Sequence, residues 1–587
     1  MAKIEFGQFR FGGMPGGQGG KTWSARSEMP GKKVFSRMSH KKSNFVIILI
    51  TVLVAAVLFY KWLPAVNLKN RGFWSYLLII SGLFSFLFYA RHAAENASRL
   101  PADKKSRIPL YVTGGIFVAP IILSAILSSR PLHARTYSEI LTVKEGTVDD
   151  IPSVQGTDSI ALMDTNSAAM LGDREIGTLS QVVSQYNVSS YTQIDSKGKP
   201  AKVAPLKYAG FFKWYRNRSA GVPGYVIVDP VKMRADYQAL PSGMKYVPSA
   251  YFWENLERKI RFHFPTKMFD NVHFEIDEEG NPYYVASVYD HTIGLFGGTQ
   301  VIGAIIADPV SGNMEYRKTG DIPQWVDVVF PGDLICTQFN DYAQLKNGFI
   351  NSIFGQTGCR KVTEYANGDD GTVSDFGYVA KEGDIWIYTG VTSLNNDSSN
   401  LGFILSNERT EETIYITCAG ADEFSAMAAA EGEVQEKRYR ASFPSLIRID
   451  EKPAYIMVLK DNSGLVKMYA CVNVEQYNIV ATAATQKECI SKYEALLSGR
   501  ITAEEATAEE TPAAAAERDI SGYEEKQIRI VRREAIVEDG DTYLYIVDEN
   551  SKIYKAKYAD VIGMMLLEDD TEITILTDGE WFALPEE

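Results

Sequence analysis

Six histidines occur among the 587 residues; His40, His92 and His133 lie in or beside a strongly apolar amino-terminal region, which leaves His263, His273 and His291. His263 and His273 bracket the entry to a strand, so a zinc site there is chemically conceivable, but exposed structural histidines are much the commoner case and the favoured reading of the pair. No serine sits in a GxSxG turn and no histidine follows His291, so a histidine-based triad would have to draw on those three residues. The chain carries 73 aspartates and glutamates, so frequent a type that no chosen pair singles out glycosidase chemistry. Asp369, Asp370 and Asp375, and separately Asn395, Asn396 and Asp397, are oxygen-rich, but neither group has the ligand spacing of a calcium loop, and both read as solvated connections. Gly19, Gly20, Lys21 and Thr22 approach a phosphate-binding loop, yet the leading glycine would fall on Pro15 and no strand precedes it. No cofactor motif is found. Cys336, Cys359, Cys418, Cys471 and Cys489 are odd in number and lack CxxC spacing, which predicts buried thiols and no disulfide framework.

One segment departs from its acidic surroundings. Residues 211–224, FFKWYRNRSAGVPG, place Lys213, Arg216 and Arg218 among Phe211, Phe212, Trp214 and Tyr215. Aromatic and cationic groups together suit a lipid headgroup surface, a glycan face or an acidic peptide. The alternative is that the aromatics pack internally while the charges are solvated.

The elements that must carry these residues begin in the membrane. Residues 45–60, 73–90 and 108–127 contain no charge, and each approaches the length that crosses the hydrocarbon layer. The first continues through Lys61, Trp62 and Leu63, where lysine snorkels and tryptophan suits the headgroup layer. It is longer than a signal peptide's apolar core and lies behind a 43-residue tail. The tail holds nine lysines and arginines, the first loop three, the second loop five, and the stretch beyond the third span Arg130 and Arg135 alone. Positive charge marks the inner side, so the amino terminus is expected inside and residue 130 onward outside. Residues 136–587 hold 41 basic against 69 acidic residues, a net −28, which argues against nucleic acid as a partner.

Beyond residue 176 one unit recurs four times: a helix, a hairpin and a third strand. In the second copy a stripe of Phe252, Leu256, Ile260 and Phe264 precedes FEIDEEGNPYYVASV (274–288) and VIGAIIADPVSGNMEY (301–316). The first copy has a helix at 176–186, a hairpin at 192–206 and a strand at 224–237; Asp195, Gly198, Asp229 and Pro230 match Asp277, Gly280, Asp308 and Pro309. A third copy has a helix around 333–354, then 377–391 and 401–416, and a fourth has FSAMAAAEGEVQEKRY, then 443–461 and 466–480. Alternation along the strands predicts one buried face per sheet, covered by the helix. The connection 290–300, with Gly294, Gly297 and Gly298, reads as a mobile loop. This order of elements, with its DPxxG turn, resembles the PepSY-type domain of bacterial envelope proteins, although two copies lack the Asp-Pro pair. The resemblance implies binding or modulation of peptides and proteases. The whole chain resembles uncharacterised three-span membrane proteins of Firmicutes.

The expected fold is α+β: a basic cytoplasmic tail (1–43), three transmembrane helices (44–129), an extracytoplasmic connector (130–175), tandem helix-plus-antiparallel-sheet repeats (176–240, 250–317, 333–420 and 423–498), an Ala/Glu-rich linker (499–520) and a small β-barrel or sandwich (521–587). The expected role is that of a non-catalytic scaffold or sensor in a bacterial cytoplasmic membrane, binding another envelope protein or a peptide. The alternative is an envelope hydrolase with carboxylates in a cleft between repeats.

Overall fold

The computed structural model describes residues 40–96, 107–153, 162, 163, 165–230, 232–363, 376–395, 399–462, 464–507, 523–538, 541–558, 561, 571–579 and 581–584. Most of the tail, Arg99, Lys104 and Lys105 of the second loop, Asp369, Asp370, Asp375, Asn396, Asp397 and residues 508–522 of the linker region lie outside them.

The charge-free runs form helices α1 (His40–Trp62), α2 (Arg71–Asn96) and α3 (Ile108–Leu127). Each is long and apolar enough to cross a membrane. Their few polar side chains bond within or between the helices: Ser85 Oγ donates to Pro109 O (2.9 Å) and Tyr76 OH to Ala55 O (3.1 Å). Pro109 falls in the first turn of α3, where its missing N–H costs no helical bond, whereas Pro120 lies inside the helix.

After α4 (Arg130–Ser138) the chain does not go directly to the first repeat. Strand β1 (Val143–Gly146) joins a later sheet in parallel, and only then does α5 (Thr165–Gly177) open sheet I. Sheet I holds β2 (Tyr186–Val188), β3 (Thr192–Ser196), β4 (Lys199–Tyr208), then α6 (Phe211–Asn217), β5 (Val222–Asp229) and β6 (Arg234–Met244). Sheet II follows α7 (Leu256–His263) with β7 (Met268–Ile276), β8 (Pro282–Ile293), β9 (Gly297–Ala307) and β10 (Met314–Lys318). Sheet III follows α8 (Gly332–Leu345) with β11 (Arg360–Val362), β12 (Gly377–Lys381), β13 (Asp384–Ser393), β14 (Ser399–Asn407) and β15 (Thr413–Ala421). Sheet IV follows α9 (Glu423–Glu433) with β16 (Arg440–Ala441), β17 (Ser445–Ile449), β18 (Lys452–Lys460), β19 (Val466–Asn473) and β20 (Val480–Ala483), and α10 (Gln486–Leu497) covers it.

These four sheets share one connectivity. In each, the long second strand pairs with two pieces of a divided first strand: β3 and β2 on β4, β12 and β11 on β13, β17 and β16 on β18. In sheet II the two pieces stay joined as β7, and the division survives as a register shift between Asp270 and His273. Each meander then adds two strands where the sequence reading has one. The stretches 224–237, 301–316, 401–416 and 466–480 all fold back on themselves as hairpins, and the DPxxG motif is the hairpin turn. The residue at the end of each third strand, or just past it in sheet II, holds that turn through its side-chain oxygen: Asp229 accepts from Lys232 N (2.9 Å), and Asp308 from Val310 N, Asn407 from Arg409 N and Asn473 from Gln476 N (each 2.8 Å). An acceptor two or three residues before the amide is what the turn requires, so Asn replaces Asp-Pro in sheets III and IV without loss.

The expectation of one buried face per sheet is corrected for sheets II, III and IV; in β18 of sheet IV, Tyr455, Met457 and Leu459 face sheet III and α9, while Ile456 and Val458 join a core under α10. Tyr284, Ala286 and Val288 of β8 share a core with sheet I, while Val285 between them joins Ala304 and Ile306 in a core with α8 and sheet III. Trp386 and Tyr388 of β13 face sheet IV and α9, while Ile387 faces sheet II. Interior strands therefore carry near-continuous apolar runs such as VIGAIIA (301–307). The predicted helices are also shorter. The 176–186 segment lies beyond the main helix at 165–177, the 333–354 helix stops at Leu345 before Gly348 (φ +89°), and α9 ends at Glu433. Of the 251–264 stripe, Leu256 and Ile260 are fully buried, whereas Phe252 lies outside the helix. The Ala/Glu-rich stretch begins as a helix over Ala503–Thr507, with Ala506 buried beside α10. All five cysteines are buried and none is in a disulfide.

The carboxyl-terminal sheet orders β21 (Glu524–Glu538), β22 (Asp541–Asp548), β23 (Ile553–Lys557), β24 (Glu572–Thr577) and β25 (Phe582–Ala583) as β23-β22-β21-β24-β25. β21 bends between Ile530 and Arg532 so that its two halves pair with different neighbours, and a bridge from Lys555 to Trp581 nearly closes a barrel around Ile528, Ile546, Tyr554 and Ile575.

Candidate functional site at the junction of membrane helices and sheets

The segment 211–218 forms the short helix α6 between β4 and β5, entered through Gly210 at φ +134°. It has a buried and an exposed side. Trp214 is buried, and its Nε1 donates to Glu254 Oε2 (2.8 Å). Phe212 is 81% exposed, Tyr215 is exposed, and Arg216 and Arg218 project from the same turn. Arg218 lies 5.6 Å from the Trp214 ring centre and 5.7 Å from that of Tyr215. Lys213 is half-buried. Phe211 brings in residues that sequence reasoning had assigned elsewhere: its ring centre lies 5.1 Å from Tyr251 and 6.3 Å from Phe252. Trp253 then meets Tyr60 of α1 (5.4 Å), and Phe262 of α7 meets Phe59 (5.9 Å). The signal was present as three consecutive aromatics, Tyr251, Phe252 and Trp253, next to a helix, but nothing local tied them to residue 60.

Hydrogen bonds complete this junction. The loop between α1 and α2 lies against sheet II, with Val66 N donating to Pro265 O (2.8 Å) and Lys69 pairing with Asp290 (2.9 Å). Buried Arg261 donates from Nε to Leu63 O (2.8 Å) and from Nη1 to Lys267 O (2.5 Å). Burial pushes its guanidinium down to about 10, still well above neutrality. The glycine-rich connection 290–300 is the tip of the β8–β9 hairpin, and it is seated on the end of α3. Ser128 Oγ accepts from Leu295 N (2.9 Å), and a Cβ on Gly294 would stand 2.4 Å from Leu127 O. Its glycines thus answer a close backbone approach, not a need for mobility.

Between the loop and sheet II lies a cavity of about 730 Å³, lined among others by Arg71, Asp270, Tyr289, His291, Phe296 and Asp333. Arg71 stands 5.3 Å from the Phe296 ring centre. His291 Nδ1 is 3.2 Å from Thr299 Oγ1, and burial first, with the Arg71 and Lys69 charges helping, holds the imidazole below its ordinary range despite Asp290. Such a mixed lining suits a polar peptide or a small organic ligand. His263 is exposed at the end of α7, and His273 lies between Asn271 O and Glu275 Oε1, so the three histidines do not converge. Among the described residues no cluster of three His, Cys, Asp or Glu could hold a metal ion.

The most deeply buried carboxylates are elsewhere. Glu275, fully buried, accepts from Asp327 N (2.9 Å) and Val328 N (3.0 Å), and Asp327 in turn accepts from Asp195 N (2.9 Å). Burial, then the Glu275 charge, holds the Asp327 carboxyl well above the usual range. Burial likewise pushes Glu408 up to about 8, with Glu275 adding to it. These groups stitch sheets I, II and III together, and none of them lines the cavity. No family model matches the chain, and no curated protein matches it. Among solved structures it is similar to a levansucrase mutant from B. megaterium, at 8% identity over 76% of this chain and 96% of that one. The TM-score of 0.17 is too low to carry an argument about fold or chemistry.

Proposed function

We propose that the chain is a membrane-anchored scaffold or sensor of a bacterial cell envelope. Residues 130–587 stand outside the cytoplasm, their four meanders are tandem PepSY-type units, and they bind another envelope protein or a peptide. The observation that carries the reading is the docking of the 63–70 loop on sheet II around a cavity to which both contribute. A ligand lodged there would touch the membrane region and the sheet stack at once, which is the geometry a sensor needs. The shared side of loop and sheets also agrees with the charge bias of the flanks.

Two measurements test this. Protease added to intact spheroplasts should digest residues 130–587 and leave the tail; survival of the sheets would reverse the orientation. A photo-crosslinking residue at Asn271 or Asp333, on the cavity wall, should capture one stoichiometric envelope protein or peptide that the same residue at Tyr477 does not. Adducts confined to the chain itself would end the binding role.

A further inference from the structure

Fifteen large apolar side chains are exposed among the described residues of 139–507, and ten of them fall in two patches. The first patch holds Phe211, Phe212, Tyr215, Tyr251, Phe252, Trp253 and Phe262; Phe212 and Trp253 are 81% and 66% exposed. The second holds Ile350, Ile353 and Phe354, at 70%, 48% and 81%, on the turn after α8. Each patch is level with the end of a membrane helix. Trp253 meets Tyr60 edge-on, two residues before the end of α1, which at about 1.5 Å per residue lies some 3 Å inside that end. The second patch hangs beside Leu345 and Phe349, which pack on Ala134, Tyr137 and Ile140 around α4, and Tyr137 OH donates to Ser128 O (2.7 Å) just past α3. Arg130 pairs with Asp341 (2.8 Å) across the same contact. Leu132, also exposed, continues that surface toward α3.

We propose that the sheet stack rests on the bilayer through these two apolar feet, with their side chains in the headgroup and upper acyl layer of the outer leaflet. The occupant is lipid, because each patch is continuous with a helix end that already lies at that depth. The rim chemistry fits as well. Lys61, Arg216, Arg218 and Arg258 surround the first foot, as phosphate groups require, and its aromatics have the amphipathic rings that collect at the interface. A cleft of about 690 Å³ between α1 and this foot, lined by Ala56, Val57, Tyr60, Phe252 and Arg258 among others, opens where an acyl chain would enter. The stack is strongly acidic and would otherwise stand off an anionic surface, but charge repulsion is screened over about 8 Å in physiological salt, whereas apolar insertion acts at contact. The inference rests on the reading of α1–α3 as membrane spans.

The test uses the full chain reconstituted in phosphatidylcholine–phosphatidylglycerol vesicles. Benzoylphenylalanine is placed singly at Phe212, Trp253 or Phe354, at Phe117 within α3, and at Tyr477 on the β19–β20 turn, and lipid adducts are quantified by mass spectrometry after illumination. The three foot positions should label within about threefold of Phe117 and at least about tenfold above Tyr477. Foot yields no higher than Tyr477 while Phe117 labels strongly, or adducts to a second protein chain in place of lipid, would overturn the feet. Failure at Phe117 as well would overturn the spans instead, so the two claims are separable.

Discussion

Replacing Arg261 by Met isolates the coupling between the membrane loop and the sheets. The side chain is buried on α7, and its guanidinium lies 4.3 Å from the Phe269 ring centre and carries the contact to Leu63 across nearly two hundred residues of chain. Methionine keeps the apolar volume and removes the donors. Each charge-assisted hydrogen bond contributes about 1.5–3 kcal/mol, and Leu63 O and Lys267 O are left without their donor in a dry site. Allowing for non-additivity, the loop should open more easily by about 3–4 kcal/mol. Hydrogen exchange reads this at Val66, whose amide is held by Pro265 O in the docked loop. At 1.4 kcal/mol per decade, Arg261→Met should speed exchange there by roughly two to three orders of magnitude. Lys69→Met removes a half-exposed pair with Asp290 and should change it by less than about fivefold. If Arg261→Met left Val66 within about threefold of the native rate, the loop would be held by something other than this arginine, and the docking argument would fail.

Glu408 is buried and its carboxyl is pushed up to about 8 against an ordinary 4.5, so the folded chain keeps a proton that the unfolded chain releases. Stability should therefore fall as pH rises between those values, by up to about 1.4 kcal/mol per unit. Glu411 and Glu423, at about 7, titrate in the same direction, so Glu408→Gln should lessen the decline in urea midpoints across the whole range, and most distinctly between pH 7 and 8, above the range of the other two; an unchanged slope there would refute the assignment. Trp214→Ala should cost about 3–5 kcal/mol of stability in denaturant titration, and Phe212→Ala, four-fifths exposed, under about 0.5. Equal effects of the two would contradict the division of α6 into a buried and a presented face. Gly294→Val meets Leu127 O and must hold φ near +59°, so it should lower stability by about 2 kcal/mol, seen as a lower thermal midpoint, with Gly198→Ala as the uncrowded comparison.

The three long apolar helices were legible because the length and composition that a span requires fall on contiguous residues. The meanders were half legible. Alternation located the strands, but a hairpin closed by an Asp or Asn side chain interrupts it by only four to six residues, and so 224–237 and 301–316 looked like single strands. The double burial of sheets II, III and IV had a signature in runs such as VIGAIIA, which alternation alone misses. The aromatic and basic cluster at 211–218 was found by composition, and its outward role in Phe212 and Tyr215 was visible in kind. Its continuation through Phe252 and Trp253 to Tyr60 was not, because contacts separated by about two hundred positions leave no periodic trace in one sequence.

Those distant contacts also determine how the sheets and the three apolar helices can move. The chain leaves α3 toward sheet III, yet these helices are held mainly by sheet II and the elements beside it: α7 on the end of α1, the β8–β9 hairpin on the end of α3, and α8 on α4. Three attachments fix a plane, so the sheets cannot swing about the 128–130 connection as a tethered domain would. Sheet II is packed on both faces, and close-packed layers shift as units, since a gap of even half an ångström forfeits contact energy along a whole face. A ligand that displaces sheet II relative to either neighbour must therefore move α7 and the β8–β9 hairpin with it, and through them the ends of α1 and α3 on which they are seated.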